Sequence, residues 1–250
     1  MADEKSLTPE ELEQRWMAVK QILDNEGKAA CIAAICTEKN ESYRQQLFRF
    51  AIRKLGGGTG ATSTALDQMI EIGDAAIRHS LETADQDGAN VIAFNLSANL
   101  CDCWGDGDSR LKRHFEAGLR YADQALEFRR KLNKGPGPFS MAYWARGKHL
   151  LSLRKPAEAA DAFRESLKCE ETIARQNGAS LDSMESAPGG WLNTRAFLGL
   201  SLLRAGDASG QNMLDESLRA LRSQAQHGEG EMKDDAQVFR DQIDESTKRN

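Results

Sequence analysis

The sequence predicts an all-α fold built from antiparallel helix hairpins. Two observations lead to this prediction. Apolar residues recur at helical spacing along nearly the whole chain, whereas runs that alternate β-branched or aromatic with polar residues, the pattern of strands, are close to absent. Segments in the second half of the chain also resemble one another, as expected of a protein made of stacked repeats.

The first helix has the clearest start signal. In "TPEEL", Thr8 can act as the N-cap, Pro9 fits the first helical position and Glu11 can close a capping box. An apolar face then continues to Leu23, and the helix is expected to end at Asn25. A short apolar piece follows at 28–36, and further helices are predicted at 40–55, 63–84, 88–104, 109–132, 139–154, 156–176, 190–205, 209–226 and 231–246.

The internal similarity is clearest between two helix pairs. "YWARGKHLLSLRKPAEAADAFRESL" carries a small residue, Gly147, in its first helix, a turn at Pro156, and Phe163 in its second helix. "TRAFLGLSLLRAGDASGQNMLDESL" repeats this scheme with Gly199 and Leu214, and "HFEAGLRYADQAL" supplies the second-helix pattern upstream. These segments resemble tetratricopeptide-repeat (TPR) proteins, whose repeats pair antiparallel helices with small residues at the crossing and an aromatic residue on the second helix.

This resemblance implies a right-handed superhelix, a TPR-like α-solenoid. It covers residues 86–250, which we interpret as TPR-like repeats with connectors longer than usual for the family. Residues 1–85 are predicted to be divergent N-terminal helices that continue into the same superhelical domain.

Composition narrows the range of functions. The chain has 250 residues, 40% of them apolar, and a net charge of -5. Because phosphate binding requires a basic stripe and none is visible, we expect no nucleic-acid partner. The charged start "MADEKSLTPEELEQ" is unlike a secretory leader, and no apolar run is long enough to span a bilayer. We therefore expect a cytoplasmic protein without a membrane partner.

The cysteines show no disulfide or metal-binding pattern. They are odd in number, as expected in a reducing compartment, and only "CDCW" holds a close pair. A metal would require two more ligands, and the nearest histidines in sequence belong to separate segments. We interpret the thiols as buried structural side chains, including those of "CIAAIC", and expect no metal and no cofactor. The five residues are Cys31, Cys36, Cys101, Cys103 and Cys169.

The string "LGGGTGATST", Leu55–Thr64, is similar to glycine-rich phosphate loops, including the "GGGTG" loop of tubulin and the bacterial cell-division GTPases. Such loops follow a strand, whereas a helix is predicted here, and the P-loop lysine is missing after Gly60. We interpret Gly56–Gly60 as a helix stop and connector, with the next helix capped by a residue of 62–64. Nucleotide binding by the 56–64 loop is retained as an alternative.

No signature of catalysis is found. Motifs such as G-x-S-x-G or H-E-x-x-H do not occur. Paired carboxylates lie at polar helix starts, where their negative charge interacts favourably with the positive end of the helix dipole. We therefore expect a protein that is not an enzyme.

The TPR resemblance implies that a partner binds on the concave face formed by the first helices of the pairs. Trp144 and Lys148 would form an apolar platform beside a cation, with packing of Trp144 between repeats as the alternative. The set that grips a terminal carboxylate in chaperone-binding family members is not reproduced. Carried over to this sequence, the groove positions fall on Phe94, Asn95, Asp102, Trp144, Lys148, Ser152, Asn193 and Arg204.

The leading hypothesis is a scaffold or adaptor that binds a protein or peptide segment. The alternative is a regulatory sensor that encloses a small ligand or peptide, and a deep polar pocket between non-adjacent helices would favour it. The identity of the partner and the formation of homo-oligomers stay open.

Overall fold

The computed structural model describes residues 6–56, 61–103 and 109–248, and within these ranges the chain is helical and contains no strand. The all-α prediction is thus confirmed, and each predicted segment corresponds to an observed helix. The helices are α1 (Pro9–Glu26), α2 (Lys28–Cys36), α3 (Glu41–Gly56), α4 (Ser63–Glu82), α5 (Gln86–Leu100), α6 (Lys112–Lys131), α7 (Pro136–Ser152), α8 (Pro156–Gln176), α9 (Gly189–Arg204), α10 (Gly210–His227) and α11 (Glu231–Lys248).

The helix starts follow the sequence signals. Thr8 Oγ1 accepts a hydrogen bond from the Glu11 amide at 3.2 Å, and the Thr8 amide donates to the Glu11 carboxylate at 2.8 Å, which completes the predicted capping box. Thr62 caps α4 by accepting from the Ala65 amide at 3.2 Å. Gly27 separates α1 from α2. Its φ of 88° interrupts the helical backbone, and glycine adopts this left-handed conformation without steric cost.

The helices pack in two layers. Each helix contacts the next one in the chain, so neighbouring helices form successive pairs. Contacts also join α1 to α3, α3 to α5, α5 to α7 and α9 to α11, while α2 contacts α4 and α4 contacts α6. From α1 to α7, the odd-numbered helices therefore form one layer and the even-numbered helices the other, and ring contacts between Trp144 and Phe197 continue the odd-numbered layer from α7 to α9. The largest core cluster runs from α1 to α7, and a second one begins in α7 and ends in α11.

Glycines lie where paired helices cross, as the repeat pattern predicted. A Cβ atom added to Gly147 would lie 2.6 Å from the Phe163 ring, and one added to Gly199 would lie 2.7 Å from the Gly210 carbonyl oxygen. Phe163 is fully buried and stacks on Phe197 of the next pair, with ring centroids 5.5 Å apart. These close crossings hold each pair together through van der Waals contact and burial of apolar surface.

The glycine-rich string connects two helices. Gly57–Gly60 lie outside the described residues, but α3 ends at Gly56 and α4 begins at Ser63, so the element before the string is a helix, as predicted. Nucleotide binding by this loop stays an untested alternative.

The cysteine prediction is confirmed only in part. Cys31, Cys101 and Cys103 are buried, whereas Cys169 is half-buried. The prediction of burial is wrong for Cys36, which is exposed because it ends α2 on the side that faces solvent. Across residues 6–56, 61–103 and 109–248 there is no cluster of three metal-ligating side chains, and no helix there is both long and apolar enough to cross a bilayer.

Candidate functional site

Four of the predicted groove residues lie close together in the fold, beside the C-terminal helix α11. Lys148 Nζ lies 3.0 Å from Asp102 Oδ1, and Ser152 Oγ donates to Asp102 Oδ2 at 2.9 Å. Lys148 also donates to Ser246 Oγ, and Arg204 Nη2 donates to the Ser246 carbonyl at 2.6 Å. We call this set, Asp102, Lys148, Ser152, Arg204 and Ser246, the C-terminal cluster. It joins α7, α9 and α11 to the segment that follows α5.

The centre of the C-terminal cluster is closed to solvent, whereas Ser152 and Arg204 at its edge are half-buried. The Lys148 side chain is 1% exposed and that of Asp102 is 9% exposed. Burial is the largest single effect and lowers the pKa of Lys148, but the charge and hydrogen bond of Asp102, together with Cys103 and Cys101, raise the net pKa, so the ammonium stays protonated. For Arg204, burial lowers the pKa and Asp102 opposes this effect. Lys148 and Asp102 thus form a buried ion pair at the centre of the cluster.

Trp144 lies beside this cluster, packed between helix pairs. It is half-buried, and its ring stands at 81° to that of Phe197 with centroids 5.8 Å apart. Lys148 Nζ lies 4.5 Å from the centroid of the same Phe197 ring. The expected platform beside an accessible cation is therefore not present, because α11 packs on α9 and brings Ser246 onto Lys148. Its position agrees with the alternative of packing, here between the helices α7 and α9.

The other predicted residues are separate from that cluster. Phe94 is half-buried beneath the Arg129 guanidinium, whose central carbon lies 4.6 Å from the ring centroid. Asn193 is 5% exposed, and its Oδ1 accepts no hydrogen bond from any residue in the described ranges. Asn95 lines an open cleft in the first half of the chain. Whether any of these residues contacts a partner stays a prediction.

This cleft, which we call the N-terminal cleft, has a volume of about 450 Å³ and lies among α1, α3 and α5. Its size is within the range of ligand-binding pockets, which measure roughly 300–1,000 Å³. None of the residues that line it is acidic. They are Leu12, Gln46, Arg49, Phe50, Ile52, Arg53, Asn95 and Asn99.

Except for Gln46, which accepts from the Leu7 amide and donates to Ser42 Oγ, the polar side chains of the N-terminal cleft form no hydrogen bond or ion pair within the described structure. Arg49 Nε is buried and donates to no acceptor there, and Arg53 lies over the Phe50 ring at 4.7 Å without an ion pair. Asn95 and Asn99, one turn apart on α5, make no side-chain hydrogen bond to any described residue. The cleft therefore offers cations and carboxamides that are free to bind another molecule.

Sequence reasoning missed most of this cleft because the repeat resemblance is weak before residue 85. A signal was nevertheless present. Arg49 and Arg53 are one turn apart, and no acidic residue lies three or four positions from either of them. Acidic residues at these spacings would form stabilising ion pairs within the helix, so their absence leaves both guanidinium groups available to an external anion.

A third group, around His149, is structural. His149 Nε2 donates to the Ser97 carbonyl at 3.0 Å and lies 3.6 Å from Cys101 Sγ. The fold thus brings a histidine to "CDCW", which the sequence could not show. Burial lowers the pKa of His149 to about 4 and raises that of Cys101, so both groups are uncharged and poorly reactive near neutral pH.

Comparisons with known proteins show a likeness in fold only. No family model matches the chain, and no curated protein matches it. Among solved structures, the chain is similar to the crystal structure of BtubC (BKLC) from P. vanneervenii, with 16% sequence identity and a TM-score of 0.48. The match covers 88% of this chain and 91% of that chain.

Proposed function

We propose that this protein is a non-enzymatic adaptor that binds a segment of another protein in the N-terminal cleft. The observation that carries this proposal is an open cleft whose arginine and asparagine side chains have no hydrogen-bond or ion-pair partner among the described residues. Buried or half-buried polar groups are normally paired within a fold, so a group of unpaired ones on one surface suits an intermolecular contact.

The proposed architecture is a right-handed, TPR-like superhelix with the odd-numbered layer as its inner face. Contacts between next-but-one helices run farther along the odd-numbered layer than along the even-numbered one. This asymmetry is expected when a stack of helix pairs curves, because helices on the inner side approach one another more closely. The N-terminal cleft then lies on the concave face. We further propose a cytoplasmic location, with no nucleic-acid or membrane partner.

Site-specific photo-cross-linking tests the adaptor function. A benzoylphenylalanine at Leu12, which lines the cleft, should yield a discrete protein adduct in an extract of the native cells. The matched control places the same group at Arg222, which is exposed on α10 in the other layer. The Leu12 adduct should disappear when Asn95→Ala and Asn99→Ala are combined. Equal adducts from both positions, or none from Leu12, would contradict the proposal.

A sensor for a small ligand is the second candidate. The specific observation in its favour is that the cleft lies among α1, α3 and α5, which are not consecutive in the chain. A ligand there would raise the melting temperature by linkage. The small-molecule fraction of the native extract should then stabilise the wild type but not the Asn95→Ala, Asn99→Ala variant.

The nucleotide alternative is tested separately. Isothermal titration of the full chain with ATP and with GTP should give no heat of binding if the glycine-rich string is only a connector. A saturable heat that Gly57→Ala with Gly58→Ala removes would restore that alternative.

A further inference from the structure

We propose that the N-terminal cleft recognises an extended, acidic segment of its partner, with carboxylates on alternate residues. The inference rests on the proposed adaptor function and specifies the chemistry of the partner.

The N-terminal cleft is positively charged. Arg49 and Arg53 both line it, and none of its lining residues is acidic. The neighbouring Lys54 is already paired with Glu13 at 2.6 Å, so it belongs to the fold rather than to a ligand. Arg49 also lowers the pKa of Asp87, although the hydrogen bond from Lys134 is the larger cause. Two guanidinium groups in a chain of net charge -5 thus form a local positive site.

Burial gives Arg49 an unsatisfied hydrogen-bond donor. Arg49 Nε is withdrawn from solvent and has no acceptor in the described ranges, which is unfavourable for a charged donor. A carboxylate matches the planar fork of a guanidinium with two parallel hydrogen bonds. The apolar floor of Leu12 and Phe50 would strengthen this pair by excluding water.

Helix geometry gives the spacing of the ligand. Residues four positions apart are separated by about 6 Å along a helix axis. An extended chain advances about 6.6 Å over two residues, and these two side chains point to the same side. Arg49 and Arg53 on α3 are therefore spaced to meet carboxylates on alternate residues. Two adjacent acidic residues would instead direct one of their carboxylates away from the arginines.

The opposite wall fits the backbone of the same segment. Asn95 and Asn99 have the same four-residue spacing on α5. Each carboxamide offers a donor and an acceptor, which together match the N–H and C=O groups of one residue in an extended chain. The asparagines would therefore hold the backbone irrespective of sequence, while the arginines would select the acidic side chains.

Fluorescence polarisation with three labelled synthetic peptides tests this inference on the full chain. The first carries two Asp residues separated by one residue in a background of Ser and Leu (the alternating peptide), the second has the same composition with its two Asp residues adjacent (the contiguous peptide), and the third replaces Asp with Asn. The alternating peptide should bind at least about ten-fold more tightly than the contiguous one, and the Asn peptide should bind most weakly, because charge and register are both required.

Variants separate the two walls. Arg49→Gln with Arg53→Gln should abolish the preference for the alternating peptide. The matched control, Arg219→Gln with Arg222→Gln on α10, removes the same charge from exposed arginines and should leave the affinity unchanged. Asn95→Ala with Asn99→Ala should weaken the alternating and contiguous peptides by a similar factor. Circular dichroism and melting curves verify that each variant is folded.

Several results would overturn the inference. Equal affinity for the alternating and contiguous peptides, or an equal loss in the α10 control, would remove the role of register and of the two arginines. Binding of the Asn peptide as tightly as the acidic ones would leave the adaptor function in place without acidic specificity. If no peptide binds, the acidic-segment inference fails, and the cross-linking at Leu12 decides the adaptor function independently.

Discussion

Polar side chains lie at both ends of the odd-numbered layer, but they are paired within the protein at one end only. In the C-terminal cluster, Lys148 contacts Asp102 and Ser246, and the Lys148–Asp102 pair is closed to solvent. In the N-terminal cleft, Arg49 and Asn95 meet no hydrogen-bond partner among the described residues. The difference is that α11 packs over one end of the layer, while the cleft at the other end stays open.

This contrast teaches what a helical layer requires of its polar residues. A charge that the fold buries must be paired inside the protein, because desolvation without a partner is expensive. A charge in an open cleft can keep part of its hydration until a ligand arrives. The same residue types thus serve stability at one end of the layer and suit binding at the other.

The largest effect is expected from removal of the buried Lys148–Asp102 ion pair. Lys148→Ala should destabilise the protein by about 3–5 kcal/mol, because it leaves the Asp102 carboxylate buried without its cation. Urea unfolding measures this loss. Asp102→Ala should cost a similar amount, and the double variant should cost less than the sum of the two, as expected of a coupled pair. A loss below about 1 kcal/mol would mean that the cluster is solvated and resembles the cleft.

The next largest effect concerns apolar packing in the C-terminal half of the chain, for comparison with the ion pair there. Phe163→Ala should cost about 3 kcal/mol, because Phe163 is fully buried between Gly147 and Phe197. Thermal unfolding checks this value. The control, Met141→Ala, removes a side chain that is 51% exposed and should change stability by no more than about 0.5 kcal/mol. An unchanged melting temperature for Phe163→Ala would show that the helix pairs do not depend on this crossing.

A smaller effect comes from His149, which stays neutral next to the charged Lys148. Burial lowers its folded-state pKa to about 4, so the unfolded chain takes up this proton first as the pH falls below about 6.5. Stability is therefore full above pH 6.5 and is lost progressively towards pH 4. By pH 5 the loss from this group should reach about 2 kcal/mol.

His149→Gln sharpens this test, since glutamine keeps a donor for the Ser97 carbonyl but does not titrate. Burial also lowers the pKa of His114, so the variant should retain part of the slope. Unfolding curves between pH 7 and pH 4.5 measure the difference. A slope identical to that of the wild type would show that other groups carry the acid sensitivity.

The sequence could predict the helices and their pairing because these depend on local signals. Thr8 and Glu11 cap α1, and Gly147 opposes Phe163, through patterns visible within one repeat. The burial of Lys148 could not be predicted, because it depends on where α11 returns to the layer, and Ser246 lies far away in sequence. The neighbours of Arg49 were equally hidden, since α1, α3 and α5 meet only in the folded chain.

The smallest effect is expected in the N-terminal cleft. Arg49→Gln with Arg53→Gln should change the free energy of unfolding by less than about 0.5 kcal/mol, because neither arginine forms an ion pair in the described chain. The loss of one cation–π contact with Phe50 is offset by the removal of a buried, unsatisfied donor. Thermal unfolding beside the peptide titrations gives both quantities for one variant. A loss above about 1 kcal/mol would show that these arginines hold the fold together, and the cleft would then resemble the C-terminal cluster rather than a binding surface.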